Sequence, residues 1–159
     1  MSGALKNPMI TKSVLLFLCT GNYYRSRFVE HLFNHLAAHA ALPWQAESRG
    51  IAIDLGVNNR GPISSGALSA LHQRGIVPTE PIRFPQQVEA ADLARVHRII
   101  ALDEREHRPL LAERFPRWLD RVEFWQVPDV PRVALADGLV LMTHETQALI
   151  QLLTDARSR

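Results

Sequence analysis

The sequence predicts a single α/β domain in which the strands of a parallel sheet alternate with helices. Three observations predict it. Ser13 to Leu18 reads SVLLFL, a short continuous apolar run of the kind buried on both faces of a parallel sheet. From Arg25 the apolar period becomes that of a helix, with Phe28, Val29, Leu32, Phe33, Leu36 and Ala40 recurring on one face. Runs of the two kinds then alternate to the end of the chain, which argues an α/β architecture. At 159 residues the chain fits one domain and buries enough surface to fold without staples. Residues 1–12 read as an extension ahead of a domain at 13–159.

The elements follow in order. Leu42–Pro43 breaks the first helix. Trp44 to Ser48 is a candidate second strand. Gly50, Gly56, Gly61 and Pro62 mark Arg49 to Ser65 as loop. Ser64 or Ser65 is placed to cap a helix running to about Arg74, with Gly75 just past its end. Pro78, Pro81 and Pro85 make the next stretch a loop. Val88 to Val96 reads as a short helix and Arg98 to Leu102 as the third strand. Asp103 can cap a helix through about Glu113. Val122 to Val127 is the fourth strand, ended by Pro128. Ala134 to Arg157 reads as a last helix with an apolar face through Leu139, Leu149, Leu152 and Leu153 and a candidate break at Gly138.

Composition excludes several classes. A formal charge of +2 is too small to argue nucleic-acid binding. No apolar run reaches the roughly 18 residues of a membrane span, and Met1 to Lys12 has no signal-like core, so the expected location is the cytoplasm. Cys19 is the only cysteine, which rules out a disulfide or a thiolate zinc cluster within the chain and suits a reducing compartment. His31, His35 and His39 have a spacing that can bind metal, but nothing acidic or sulfur-bearing completes the set; they read as a solvated helix face. No metal or cofactor is expected.

Candidate chemistry sits in the loop Cys19-Thr20-Gly21-Asn22-Tyr23-Tyr24-Arg25-Ser26, between the first strand and the first helix. A loop this short can turn its backbone N–H groups inward as an anion nest, backed by the helix N-terminus. Gly21 is suited to a backbone conformation that most residues avoid, and Asn22 also tolerates the left-handed region. Arg25 can hold two phosphate oxygens. The cationic setting favours a Cys19 thiolate, and Ser26 can donate to that sulfur. The expected reaction is attack of the sulfur on phosphorus, followed by hydrolysis of a phosphocysteine. The bland alternative is a buried, inert cysteine at a strand end. Sites in such sheets lie at the carboxyl ends of the strands, which brings Cys19 and Pro128–Asp129 to one edge.

On these residues the sequence resembles the low-molecular-weight protein tyrosine phosphatase family, whose members carry V-C-x-G-N-x-C-R-S-P after the first strand. The segment from Leu18 to Arg27 matches it at Cys, Gly, Asn, Arg and Ser. Glu47-Ser48-Arg49-Gly50 is similar to the family's S-A-G segment, and Ile99 to Asp103 to its strand ending in Met-Asp. The resemblance implies a four-stranded parallel sheet flanked by helices on both faces. It implies Cys19 as nucleophile, Arg25 as phosphate clamp, and Asn22 and Ser26 as residues that shape the loop. The family's general acid lies in a late D-P motif, and Val127-Pro128-Asp129-Val130-Pro131 stands in the matching place, so Asp129 is the candidate acid. Asp92, Asp103, Asp120 and Asp137 are weaker rivals, with Asp103 placed for a supporting role.

The sequence departs from the pattern at Tyr24, where the family has a second cysteine, and at Arg27, where it has proline. Ile53 stands where a Trp is expected, and Val130–Pro131 follows Asp129 in place of Pro and aromatics. Tyr23 and Tyr24 can supply a ring to a substrate pocket. Within the family a Thr at the place of Tyr23 accompanies phosphoarginine, whereas a bulky residue suits phosphotyrosine. The expected substrate is therefore a phosphorylated protein or small aryl phosphate, with inorganic phosphate as an inhibitory product and no nucleic-acid or membrane partner. Alternatives are an arsenate reductase using external thiols, a phosphoryl-carrier module, and a non-catalytic phosphate- or phosphoprotein-binding module. Trp118 and Trp125 read as core or interface.

Overall fold

The computed structural model describes residues 11–158. The expected extension at 1–12 therefore lies almost entirely outside the described residues. Four strands, β1 (Ser13–Cys19), β2 (Trp44–Gly50), β3 (Arg98–Ala101) and β4 (Val122–Phe124), form one sheet in the order β2-β1-β3-β4. Every neighbouring pair is parallel. Five α-helices connect or follow them: α1 (Arg25–His39), α2 (Ser65–Gln73), α3 (Ala90–Arg95), α4 (Glu104–Arg114) and α5 (Leu135–Arg157).

The unbroken apolar run of β1 has a direct cause. Successive strand residues point to opposite faces, and both faces of this central strand are covered. Leu15, Phe17 and Cys19 join a core with Phe28, Val29, Leu32 and Phe33 of α1, Ala67 and Leu71 of α2, and Met142 and Leu149 of α5. Leu16 and Leu18 join a second core with Leu93 of α3 and Leu111 of α4. Burying each such Leu or Phe side chain stabilises the fold by about 1.5–3 kcal/mol. Trp125 packs against the first core and Trp118 against the second.

The ends of the elements differ in instructive ways from the sequence reading. Helix α1 stops at His39, before Pro43, because Ala41 turns left-handed (φ 53°) and closes a Schellman motif. Leu42 N–H donates to Ala37 O at 2.9 Å and Ala41 N–H to Ala38 O at 3.1 Å. Ser64 caps α2 by accepting from Ala67 N–H, and Gly75 beyond its end is left-handed (φ 74°), as the sequence suggests. Regular pairing of β4 ends at Phe124, earlier than Val127, but Trp125 and Val127 still donate to Ala101 O and Leu102 O. The last helix does not break at Gly138: α5 runs through it, and Gly138 is buried against the Tyr24 hydroxyl, 3.0 Å from where a Cβ would sit. Asp103 occupies the N-cap of α4 but makes no side-chain cap bond. No helix among the described residues is long and apolar enough to cross a membrane.

Candidate active site

Residues 19–26 leave the carboxyl end of β1 and enter α1, with Tyr24 at the helix N-cap. Cys19 Sγ lies 3.0 Å from Ser26 Oγ, both buried. Asn22 Nδ2 donates to that same oxygen at 2.8 Å. With Ser26 Oγ already accepting, its hydrogen is available to the sulfur.

Asn22 holds the loop in shape. It is fully buried and left-handed, with φ 52°. Gly21 is not left-handed, so the conformation expected of the glycine is carried by Asn22. Gly21 instead lets Asn59 approach, its Nδ2 lying 3.2 Å from where a Cβ would be. Beyond Ser26, Asn22 Nδ2 donates to Ser48 Oγ at 2.9 Å. Its Oδ1 accepts from Arg83 Nη1 at 2.9 Å and from Gln86 N–H at 3.0 Å. Arg83 also donates to Ser48 and to Glu30. Gly50, beside the Cys19 end of β1, is required by close approach: a Cβ there would sit 2.8 Å from Thr20 O.

Arg25 is 2% exposed. Its Nη1 donates to Val127 O at 3.0 Å, and its Nη2 lies 2.7 Å from Glu106 Oε2 and 3.5 Å from Asp129 Oδ2. Burial works against its charge, but Cys19, Glu106 and Asp129 outweigh burial and hold the guanidinium more firmly protonated than usual. Asp129 is half-exposed at the mouth, its Oδ1 accepting from Val130 N–H. Of the aspartates weighed as rivals, Asp92 is taken up in the α3 capping box and in pairs with Arg95 and Arg49. Asp120 and Asp137 are exposed. Asp103 is buried on the same edge, with Arg132 Nη1 3.6 Å from its Oδ2.

Glu106 escaped the sequence reading. Its Oε2 accepts from Thr20 Oγ1 and Arg25 Nη2 and lies 3.2 Å from His107 Nε2. Burial opposes its ionisation, but the nearby His107 N–H, the hydrogen bonds from Arg25 and Thr20 and the Arg25 charge dominate, holding it far below the usual carboxylate range. His107 Nδ1 accepts from Asp103 N–H at 3.0 Å. Burial holds this imidazole neutral, against the raising effect of Glu106, which leaves the proton on Nε2 facing Glu106. The sequence signal was thin: an acid and a histidine in the first turn of a helix that starts at the sheet's carboxyl edge.

A cavity of about 300 Å³ opens over Cys19, lined by Gly21, Tyr23, Tyr24, Arg25, Asn59, Ser64, Asp129, Val130 and Leu135. Both tyrosines reach it. Tyr23 Oη donates to Arg60 O at 2.6 Å, which fixes its ring. The Tyr24 hydroxyl is buried without a partner among the described residues, and burial, reinforced by the Asp129 charge and opposed by Arg25, pushes its pKa up to about 12. Ile53 does not line this cavity but an adjoining groove of about 240 Å³ with Phe84 and Pro85. His31 is not on a solvated face: its Nε2 is buried.

The family model for "Low molecular weight phosphotyrosine protein phosphatase" matches residues 14–129. No curated protein matches the sequence. Among solved structures, YfkJ from Bacillus subtilis is 23% identical, with a TM-score of 0.75 over 91% of this chain and 96% of that one. Wzb from Vibrio vulnificus, in complex with benzylphosphonate, is 18% identical with a TM-score of 0.73 over 88% of this chain and 98% of that one. The YwlE arginine phosphatase from Geobacillus stearothermophilus is 21% identical with a TM-score of 0.66 over 92% and 93%. These likenesses bear on the fold.

Proposed function

The chain belongs to the low molecular weight phosphotyrosine protein phosphatase family, a family of cysteine-dependent phosphatases, and from that premise we propose that it hydrolyses aryl phosphates, phosphotyrosine above all, through Cys19. The observation that carries this is Cys19 Sγ, hydrogen-bonded to Ser26 at 3.0 Å, on the floor of a cavity that also holds Arg25 and Asp129. The sulfur attacks phosphorus in line, and the bond from phosphorus to the leaving oxygen breaks. Arg25 binds the equatorial oxygens with the loop's N–H groups. Asp129, protonated, gives its proton to the leaving oxygen; as a carboxylate it then takes a proton from the water that attacks the phosphocysteine. Ser26 stabilises the sulfur as nucleophile and as leaving group.

The substrate class rests on Tyr23 and Tyr24. Two rings beside a 300 Å³ cavity suit a flat aromatic leaving group. Wzb, similar in fold, holds benzylphosphonate. The YwlE arginine phosphatase is similar as well, so the fold does not choose between the two chemistries, and Tyr23 is the residue that favours the aryl one. The lone thiol favours a reducing compartment, hence the cytoplasm. It disfavours an arsenate reductase that relays electrons through further cysteines of its own.

The test is hydrolysis of p-nitrophenyl phosphate, phosphotyrosine and phosphoarginine by wild type and Cys19→Ser. Rapid, phosphate-inhibited aryl turnover that vanishes in the variant is expected. Faster turnover of phosphoarginine refutes the substrate class; bound phosphate without turnover indicates a binding module.

A further inference from the structure

Gly21 and Asn59 line the cavity over Cys19, and both also line the adjoining groove of about 240 Å³, whose other walls include Ile53, Gly56, Phe84 and Pro85. Asn59 is the partition between the two spaces. Its Nδ2 lies 3.2 Å from where a Cβ of Gly21 would sit and 2.6 Å from that of Gly56, so two glycines make room for one amide. Its backbone N–H donates to Gly56 O at 3.0 Å, which fixes the turn, and the residue is exposed. An exposed amide on this divide can donate to, and accept from, a main chain that crosses it.

The groove is built and apolar. One wall is the turn Ile53–Leu55, and the other is Phe84–Pro85. Gln87 joins them: Ile53 N–H donates to its Oε1 at 3.0 Å, and its Nε2 donates to Ile51 O at 2.7 Å. Gly50 N–H donates to Gln86 O and Val88 N–H to Gly50 O, both at 2.8 Å, which ties the same segment to β2. None of the described residues that line the groove is charged. Phe84 is 64% exposed, and Leu55 and Val57, on either side of Gly56 in the chain, are 59% and 80% exposed. Val130 and Leu135, exposed as well, line the Cys19 cavity. Exposed apolar side chains scattered singly need no explanation, but a cluster of them continuous with a reaction cavity marks a binding surface.

We propose that this groove is a subsite for an apolar side chain of a phosphoprotein substrate, at a position close to the phosphotyrosine, with Ile53 and Phe84 as its contacts and Asn59 bonded to the main chain between. The proposal rests on the phosphatase reading and narrows it, since the substrate is then a peptide segment and not a free aryl phosphate. Residues one or two positions from a phosphotyrosine have their Cα atoms about 4–7 Å from its own, which suits two spaces that share a wall. The absence of charge along the groove disfavours an acidic or basic side chain there, which would lose water without gaining a partner. Because hydrogen bonds already tie the walls together, little ordering is left for the substrate to impose.

The test uses Gly/Ser peptides with one phosphotyrosine and a single Leu one or two positions before or after it, against the Leu-free peptide. Wild type and Phe84→Ser are compared by the ratio of Leu to Leu-free kinetics within each enzyme, so a general loss of activity in the variant cancels. In at least one register Leu should lower the wild-type KM about fivefold with kcat within about twofold, because an apolar contact away from phosphorus is made alike in the ground and transition states. Phe84→Ser should erase that gain. Calorimetry on Cys19→Ser reads the same preference as affinity without turnover, so failure of the subsite is distinct from failure of the phosphatase reading, which p-nitrophenyl phosphate reports. Equal KM and equal affinity in every register, or a Leu preference that survives in Phe84→Ser, overturn the proposal. So does a wild-type dimer in sedimentation equilibrium that Phe84→Ser abolishes, which would give the groove to a second copy of the chain.

Discussion

Asn22→Ala is the sharpest test of how the loop from Cys19 to Ser26 is held. Four hydrogen bonds end on this one amide: donations to Ser26 and Ser48 at 2.8 and 2.9 Å, and acceptances from Arg83 and Gln86 at 2.9 and 3.0 Å. The site is fully buried, so water does not replace them. Leaving a buried partner unsatisfied costs about 1–3 kcal/mol each. Some relief is available: both serine hydroxyls can rotate, and Arg83 keeps Glu30 and Ser48. The net loss is then about 3–5 kcal/mol, including roughly 1 kcal/mol for placing alanine at φ 52°. For a chain of this size that lowers Tm by about 6–20 °C. Urea unfolding read by two probes measures it, and Asn22→Gly, which removes the same bonds without the backbone strain, should be less destabilised than Asn22→Ala by about 1 kcal/mol. A loss below about 1 kcal/mol in Asn22→Ala refutes the claim that this side chain organises the loop.

Asp129→Asn should cut turnover of a poor leaving group about 10²–10⁴-fold and spare p-nitrophenyl phosphate, whose leaving oxygen needs less protonation; equal losses on both place the acid elsewhere. Glu106→Gln removes the carboxylate that anchors Arg25 and Thr20, and kcat should fall about tenfold, with partial retention because Val127 O still holds Arg25. The folded-state pKa of Glu106 is depressed, so its stabilisation is present above about pH 4.5 and lost as pH falls through the folded value; the Tm gap between wild type and Glu106→Gln should be full at pH 7 and shrink below about pH 4. A gap independent of pH removes Glu106 from the ionised network. Tyr24→Phe deletes a hydroxyl with no partner among the described residues and should keep or raise stability by up to about 1 kcal/mol, with aryl-phosphate KM unchanged if the ring alone contacts substrate; a loss of more than 1 kcal/mol in urea shows a partner for that oxygen.

Much of this protein was legible in its sequence because the relevant physics is local or periodic. The run at Ser13–Leu18 is apolar without alternation since β1 is covered on both faces, and that pattern survives in one dimension. The loop from Cys19 to Ser26 is contiguous, so its proposed nucleophile, its guanidinium and its Asn–Ser pair can be read in order. Asp129 was reachable because the carboxyl ends of parallel strands share an edge, and the structure puts its carboxylate 3.5 Å from Arg25. Tertiary structure alone decided the partners that come from afar. Glu106 meets Arg25 across 81 residues, and Arg83 meets Asn22 across 61. It also decided which residue bends: Asn22 takes the left-handed turn since Arg83, Gln86, Ser26 and Ser48 hold its side chain, while Gly21, free to bend, has only to make room for Asn59. Arg27 in the place of a proline was visible as a departure, but that it is buried with no ion pair among the described residues is a property of the packed surroundings, which a list of residues does not contain.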